Sequence, residues 1–395
     1  MLAAYLAGVV IALNQFKVPP VMQTLLVQLH MDMTTGGWLM SSFAVAGVIL
    51  GLPAALVFAR LGPKAAGLIA LGCTLVGSSM GALATSAPML MAGRVIEGVG
   101  LGLITVVAPA VISLWFPPNE RGLPMGVWAS WVPLGSFVMF NLAGPLLRAF
   151  GWQSIWWFGA GLALLAFVIY AAVVSAPPGV AGSHPEAETR LPPGRLLLNP
   201  ASWILALVFA TFTFGGLAYS TWAPTYLNQS LGLLPQTASF DVSLTMLSGL
   251  PFMLLAGWIL DRTRRRHLVL TLALLASAVL VFWSFQLPGP QAVLPYMALM
   301  GVVGGVIPTA VFTLAPETMP RPELAGWALG IVSVGQNLGM FLGPATVAAL
   351  VAGGVWSNGV LPLVISGALG VMASAWLLFR AGGNQRPAAV AQRAA

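Results

Sequence analysis

The chain is 395 residues long, 58% hydrophobic and only 6% charged, with 45 Gly, 30 Pro and a formal net charge of +7. A soluble domain carries charge on about a quarter of its residues, which this composition excludes; 16 basic residues in all are also too few for the solvated basic face that nucleic acid requires. One cysteine, Cys73, rules out an internal disulfide and a cysteine metal cluster, while His30, His184 and His267 fall near predicted loops and suggest no metal site or cofactor.

About 20 apolar residues cross a bilayer, and charges and Gly/Pro turns divide the chain into twelve predicted spans, roughly 2–29, 33–59, 65–85, 88–115, 122–147, 151–175, 202–228, 237–260, 268–287, 291–316, 324–352 and 356–379. The first contains Lys17, Pro19 and Pro20 and is too long for a signal-peptide core, so it reads as a retained span. Three breaks carry no charge: Thr85 to Pro88, Pro288-Gly289-Pro290 and Gly353 to Gly359, all of strong turn composition. With the N-terminus cytoplasmic, Arg60, Lys64, Arg121, Arg190, Arg195, Arg262, Arg264, Arg265, Arg266, Arg321, Arg380, Arg386 and Arg393 all fall inside, against Arg148 alone outside. A miscounted span would destroy that asymmetry.

The longest hydrophilic interval, 176–200, is rich in proline and reads as a cytoplasmic linker between six-helix bundles at 1–175 and 201–395. The halves are weak repeats. Arg60-Leu61-Gly62-Pro63-Lys64 follows the second span as Asp261 to Arg266 follows the eighth, and Pro117 to Gly122 and Pro320 to Glu323 follow the fourth and tenth. The predicted fold is therefore an all-α membrane protein with twelve transmembrane helices in two pseudo-symmetric bundles.

Two motifs carry a resemblance. Gly257-Trp-Ile-Leu-Asp261-Arg262-Thr-Arg264-Arg265-Arg266 resembles the signature loop of the major facilitator superfamily of secondary transporters. Arg94-Val-Ile-Glu97-Gly98 is similar to that family's Arg-x-x-Gln-Gly motif, with Glu97 where glutamine is commoner. The resemblance implies an alternating-access carrier of the inner membrane, a monomer, whose first, fourth, seventh and tenth spans line a central cavity. It also implies gating by Arg60, Gly62, Lys64, Gly257, Asp261, Arg262 and Arg265. Asn14-Gln15-Phe16-Lys17-Val18-Pro19-Pro20, with its basic residue and prolines, resembles the cyanate permease and nitroimidazole transporter branch.

Three charges lie inside predicted spans. A lysine at mid-span costs about 2.5 to 3.5 kcal/mol, and Lys17 is too far from either span end for its stem to snorkel easily, so it is expected to bind substrate or a counterion. Asn14 lies one turn earlier on the same face, and the prolines free backbone groups that could also face a ligand. Arg94 and Glu97, at i and i+3, read either as a structural ion pair or as a coupling site in which Glu97 is a protonatable switch; Thr105 continues their face. Two positive groups against one negative favour an anionic small molecule as substrate. Carrying an anion into a negative-inside cell costs about 2.3 kcal/mol per 100 mV, so accumulation requires a co-transported cation, for which the proton is the expected coupling ion.

Tyr219, Trp222 and Tyr226 form a stripe in the seventh span, and Trp128 and Trp131 pair in the fifth; both read as core or as substrate contacts. Trp38, Trp152, Trp156, Trp157, Trp203 and Trp356, near span ends, read as an interfacial belt. Gln336 and Asn337 in the eleventh span could bond substrate or bridge helices. Asp32 and Asp241 read as caps or entry charges, and Gly335, Gly339 and Gly343-Pro344 as a face for close packing. The rival readings are a proton-coupled drug exporter, whose Gly-Pro-x-x-Gly-Gly pattern is only partly present at Gly144-Pro145, and a non-transporting membrane sensor. No nucleophile–base pair suggests an enzyme.

Overall fold

A computed structural model of the protein describes residues 2–51, 53–116, 122–174, 198–319 and 325–393, all in helices and short connections. In chain order the helices are α1 (Leu2–Gln15), α2 (Met22–Gln28), α3 (Met33–Leu50), α4 (Pro53–Ala82), α5 (Ala87–Trp115), α6 (Gly122–Ala129), α7 (Trp131–Phe150), α8 (Gln153–Val173), α9 (Pro200–Leu231), α10 (Pro235–Arg262), α11 (Arg266–Val281), α12 (Val293–Leu314), α13 (Ala325–Val351) and α14 (Val360–Arg393). Most of the predicted linker, with Arg190 and Arg195, lies outside the described residues, as do Pro117 to Arg121 and Pro320 to Glu323.

Chain chemistry sets the helix ends. Asp32 caps α3 by accepting the Thr35 N–H at 2.7 Å, Asn199 caps α9 by accepting that of Ala201 at 3.1 Å, and Gly232 closes α9 in the left-handed region at φ 69°. Gly62, at φ 74° and ψ 175°, divides α4 into two helices across a kink. That backbone conformation suits glycine, and it turns the chain at the second-to-third-span junction. The fifth span is two pieces, because the chain breaks at Ser130 between α6 and α7.

Among the described residues, eleven spans are long and apolar enough to cross a membrane. The expected ninth, 268–287, is shorter: α11 has 16 residues, about 24 Å at 1.5 Å per residue. Beyond Val281 the chain continues in tighter turns, with the Trp283 N–H donating to the Leu280 carbonyl at 3.0 Å and that of Ser284 to the Val281 carbonyl at 3.2 Å, and the Tyr296 hydroxyl also donating to the Leu280 carbonyl at 3.2 Å. The charge pattern marks one face of the molecule as basic, the face bearing Arg60, Lys64 and Arg262 to Arg266 together with the start of α1 and of α9.

Packing divides along that axis. Near the face opposite the basic one, a single apolar core joins both halves, with Phe16, Met22 and Leu25 packing into the same cluster as Trp222, Tyr226 and Val347. Toward the basic face the core splits into one cluster from the first half, including Phe43, Ile104 and Tyr170, and one from the second, including Phe209, Ile307 and Val332. The apolar core is therefore shared between the halves at the opposite face and separate toward the basic one. Their seam is formed chiefly by α3 against α13 and α7 against α10, with Gln23 donating to Asn228 at 3.0 Å and Asn141 to Ser243 at 3.2 Å.

Glycine permits the closest contacts. A Cβ at Gly335, Gly339 or Gly343 would collide with the Ala206, Ala210 or Phe214 carbonyl oxygen of α9, which explains the small-residue face of α13.

Candidate functional site

The site begins where α1 stops. Pro19 and Pro20 lack the N–H that would continue the helix, so α1 ends at Gln15 and its last carbonyls lose their helical partners. Arg94 of α5 takes them: Nη1 donates to the Asn14 carbonyl at 2.6 Å and Nη2 to the Gln15 carbonyl at 2.9 Å. A cation suits this helix terminus, which carries the negative end of the backbone dipole. Pro19 removes the donor that would serve the Gln15 carbonyl, and the guanidinium supplies one there as well as one to the Asn14 carbonyl at the helix end.

Arg94 also donates from Nη1 to Glu97 Oε2 at 2.7 Å, a pair one turn apart on α5. The other carboxylate oxygen, Oε1, is paired with Lys17. The Lys17 ammonium further donates to Asn14 Oδ1 at 3.0 Å and to Ser78 Oγ of α4 at 2.8 Å, so all three of its protons are engaged. It sits 4.8 Å from the ring centroid of Trp156, and the Arg94 guanidinium lies 4.2 Å from that of Phe43. Lys17, Arg94 and Glu97 are each 0% exposed. The cluster has a net charge of one positive in a low-dielectric interior, and Arg94 Nε lacks a hydrogen-bond partner among the described residues.

The sequence marks Lys17, Asn14, Arg94 and Glu97 and offers Arg94 or Lys17 as the cation beside Glu97; the structure brings both to it, and adds Ser78, Trp156 and Phe43, which the sequence does not assign to the site. Ser78 and Phe43 carry no signal in the sequence that marks them. Trp156 was assigned to the interfacial belt and is buried, as are Trp152 and Trp356, because a tryptophan near a span end can turn inward; Trp38, Trp157 and Trp203 are exposed. Asp32 is a cap, whereas Asp241 is not. It lies nearly two turns inside α10, whose N-cap is Leu234.

The other candidates lie apart from the charge cluster. Trp128 and Trp131 stack at 5.0 Å between centroids in the basic-side core of the first half. Tyr219, Trp222 and Tyr226 are buried in an aromatic group with Phe285, Tyr296 and Trp356. There the Trp222 indole donates to the Pro344 carbonyl at 3.0 Å, and the Tyr226 hydroxyl accepts the Leu287 N–H at 2.8 Å. Asn337 donates to the Ser333 carbonyl at 2.9 Å, Gln336 is half-buried, and Thr105 bonds carbonyls of its own helix. In the loop, Asp261, Arg262 and Arg265 are exposed, Gly257 is half-buried and Arg60 and Lys64 are exposed around Gly62. Arg266 ties the helix ends together, donating to the Leu260 carbonyl at 2.8 Å and pairing with Glu317. Its side chain reaches across the turn.

The profile of the Major Facilitator Superfamily matches residues 4–344 and again 242–394. An uncharacterized MFS-type transporter of Mycobacterium tuberculosis is 25% identical over 391 residues, covering 82% of this chain and 65% of its own, so the chain spans just under two thirds of that relative. The hexuronate transporter of Bacillus subtilis is 24% identical over 394 residues, covering 95% of this chain and 92% of its own. Among solved structures, a D-xylose-proton symporter superposes with a TM-score of 0.74 over 95% of each chain at 19% identity, a likeness of fold.

Proposed function

The chain belongs to the Major Facilitator Superfamily, and from that premise we propose that it is a secondary transporter which takes up a small anionic solute together with a proton. The observation that carries this reading is the buried cluster of Lys17, Arg94 and Glu97, with its one unbalanced positive charge at a break in the first span. The hexuronate transporter among its relatives supports an anion as cargo. Neither curated relative is named for cyanate or nitroimidazole, so the branch-level likeness drops out of the proposal. Taking the basic face as cytoplasmic by the positive-inside rule, the shared core on the opposite side favours an inward-facing arrangement.

Coupling follows from counterion arithmetic. Glu97 neutralises one of two buried cations, and a proton on Glu97 would leave both without a counterion, at a cost of several kcal/mol. An anion arriving at Lys17 supplies the missing negative charge. Proton and anion therefore favour each other's binding, and one proton with one monoanion makes the cycle electroneutral, removing the penalty of about 2.3 kcal/mol per 100 mV.

The test is uptake of a panel of small anions into proteoliposomes, with and without an inward proton gradient. Gradient-driven accumulation, lost in Lys17→Gln and converted to exchange without accumulation in Glu97→Gln, is the expected result. Equal accumulation by Glu97→Gln rejects the coupling role, and gradient-driven movement of lipophilic cations with no anion signal replaces this reading with an exporter.

A further inference from the structure

Asp241 is a buried acid that the charge cluster does not use. It lies about 9 Å along α10 from the helix start at Pro235 and is 7% exposed. Ala238 and Val242 beside it belong to the apolar core that both halves share, and Ser243 accepts from Asn141 of α7 across the seam at 3.2 Å. Asp241 therefore sits in packing that must separate whenever the face opposite the basic one opens. Among the described residues it makes no hydrogen bond and no ion pair. The elements packed on α10 are α12, α7, α9 and the Pro19–Val21 turn, and the one ionised residue they carry is Arg148, exposed in the last turn of α7. Lys17, just before the turn, is engaged by Glu97, Asn14 and Ser78. The tyrosines of α9 and α12 are directed elsewhere: Tyr219 to the Met297 sulfur at 3.9 Å, Tyr226 to the Leu287 N–H at 2.8 Å and Tyr296 to Ser284 at 2.9 Å. Thr245, one turn along α10, also turns to Met297, at 3.1 Å. The other charges of α10, Asp261 and Arg262, stand at its basic end.

A carboxylate buried without a cation or a donor is far costlier than the neutral acid. The closed packing thus accepts Asp241 with a proton, and water in an opened seam accepts it without one. We propose that Asp241 is a proton-operated latch on the outer side: closing the seam takes one proton from the external medium, and opening returns it there. The proposal rests on the inward-facing reading above and is independent of the cargo. Because this proton enters and leaves by the same side, it is not transported, and coupling through Glu97 is unchanged. The closed state binds one proton more than the open one. Above the ordinary aspartate range the exposed acid is ionised, so each unit of external acidification favours the closed state by up to about tenfold, and each unit of alkalinisation favours the open one.

Spin labels on Val27→Cys of α2 and Leu234→Cys at the start of α10, both exposed positions, report the outer separation of the halves by double electron–electron resonance. The sample is the full chain with Cys73→Ser, in lipid nanodiscs without cargo, taken from about pH 8 to about pH 5 across the range above ordinary aspartate titration. The ratio of short to long separations is expected to rise with acidification, and to do so equally in Glu97→Gln, which removes the other buried acid. In Asp241→Asn, neutral at every pH, the ratio stays at the parent's acid value; Asp241→Glu, which keeps a titratable carboxyl, retains the response. A ratio that does not move with pH, a response undiminished in Asp241→Asn, or one lost in Glu97→Gln overturns the latch. Failure of anion uptake leaves this measurement unaffected, since no cargo is present.

Discussion

The opening spans of the two halves, α1 with α2 and α9, solve the same problem in opposite ways. Both carry proline within the span. In the first, Pro19 and Pro20 in tandem end the helix and leave carbonyls that a guanidinium 79 and 80 residues away occupies. In the second, the single Pro224 is accommodated inside a helix that runs unbroken to Leu231, and its neighbours Tyr219, Trp222 and Tyr226 fill the interior with rings. One proline removes one donor, which packing absorbs; two in sequence open a polar gap that only strong donors close. Charge therefore gathers in one half and apolar packing in the other.

The largest effect is expected from breaking the charged side. Glu97→Ala leaves Lys17 and Arg94 buried without a counterion and should cost about 3 to 5 kcal/mol, seen as a fall in the thermal midpoint in detergent. A fall no larger than that of a surface variant would mean that the two cations are satisfied by their neutral partners. On the aromatic side, Tyr226→Phe strands the buried Leu287 N–H and should cost about 1 to 3 kcal/mol. Anion selectivity should stay the same, and a change in it would place the aromatic group in the binding site. Smaller still is Arg266→Ala, which removes a pair exposed by 33% and 44% and should cost under about 1 kcal/mol after solvent screening, in denaturant or thermal unfolding. Least of all is titration of Asp32. Its Thr35 hydrogen bonds hold the carboxyl below the ordinary value, so the cap stabilises α3 above that value and is lost as pH falls through the lowered one. Amide exchange at Thr35 should rise only there, and a uniform rise along α3 would assign the effect elsewhere.

Much of the architecture was legible from the chain. Apolar run lengths, Gly/Pro turns and the one-sided arginines place the spans, because transfer into hydrocarbon is a local property of about 20 residues. The exceptions are confined to single spans: α11 stops at Val281, and the fifth span breaks at Ser130. Lys17, Arg94 and Glu97 were recognisable one by one, since a charge in an apolar run is conspicuous wherever it packs.

What the sequence by itself determined, then, is where helices lie, which end of each is basic, where α1 must break and which three charges the membrane has to house. Only the tertiary structure decided that Lys17 and Arg94 share the two oxygens of Glu97, that Arg94 caps the broken helix, that Trp156 turns inward beneath Lys17 while Trp157 stays exposed, and that Asn337 meets Gly47. The division has a physical reason. Helix formation and membrane insertion are summed over neighbouring residues, whereas the choice of partner depends on how rigid helices lie against one another, and a rotation of 100° exchanges one residue's surroundings for the next.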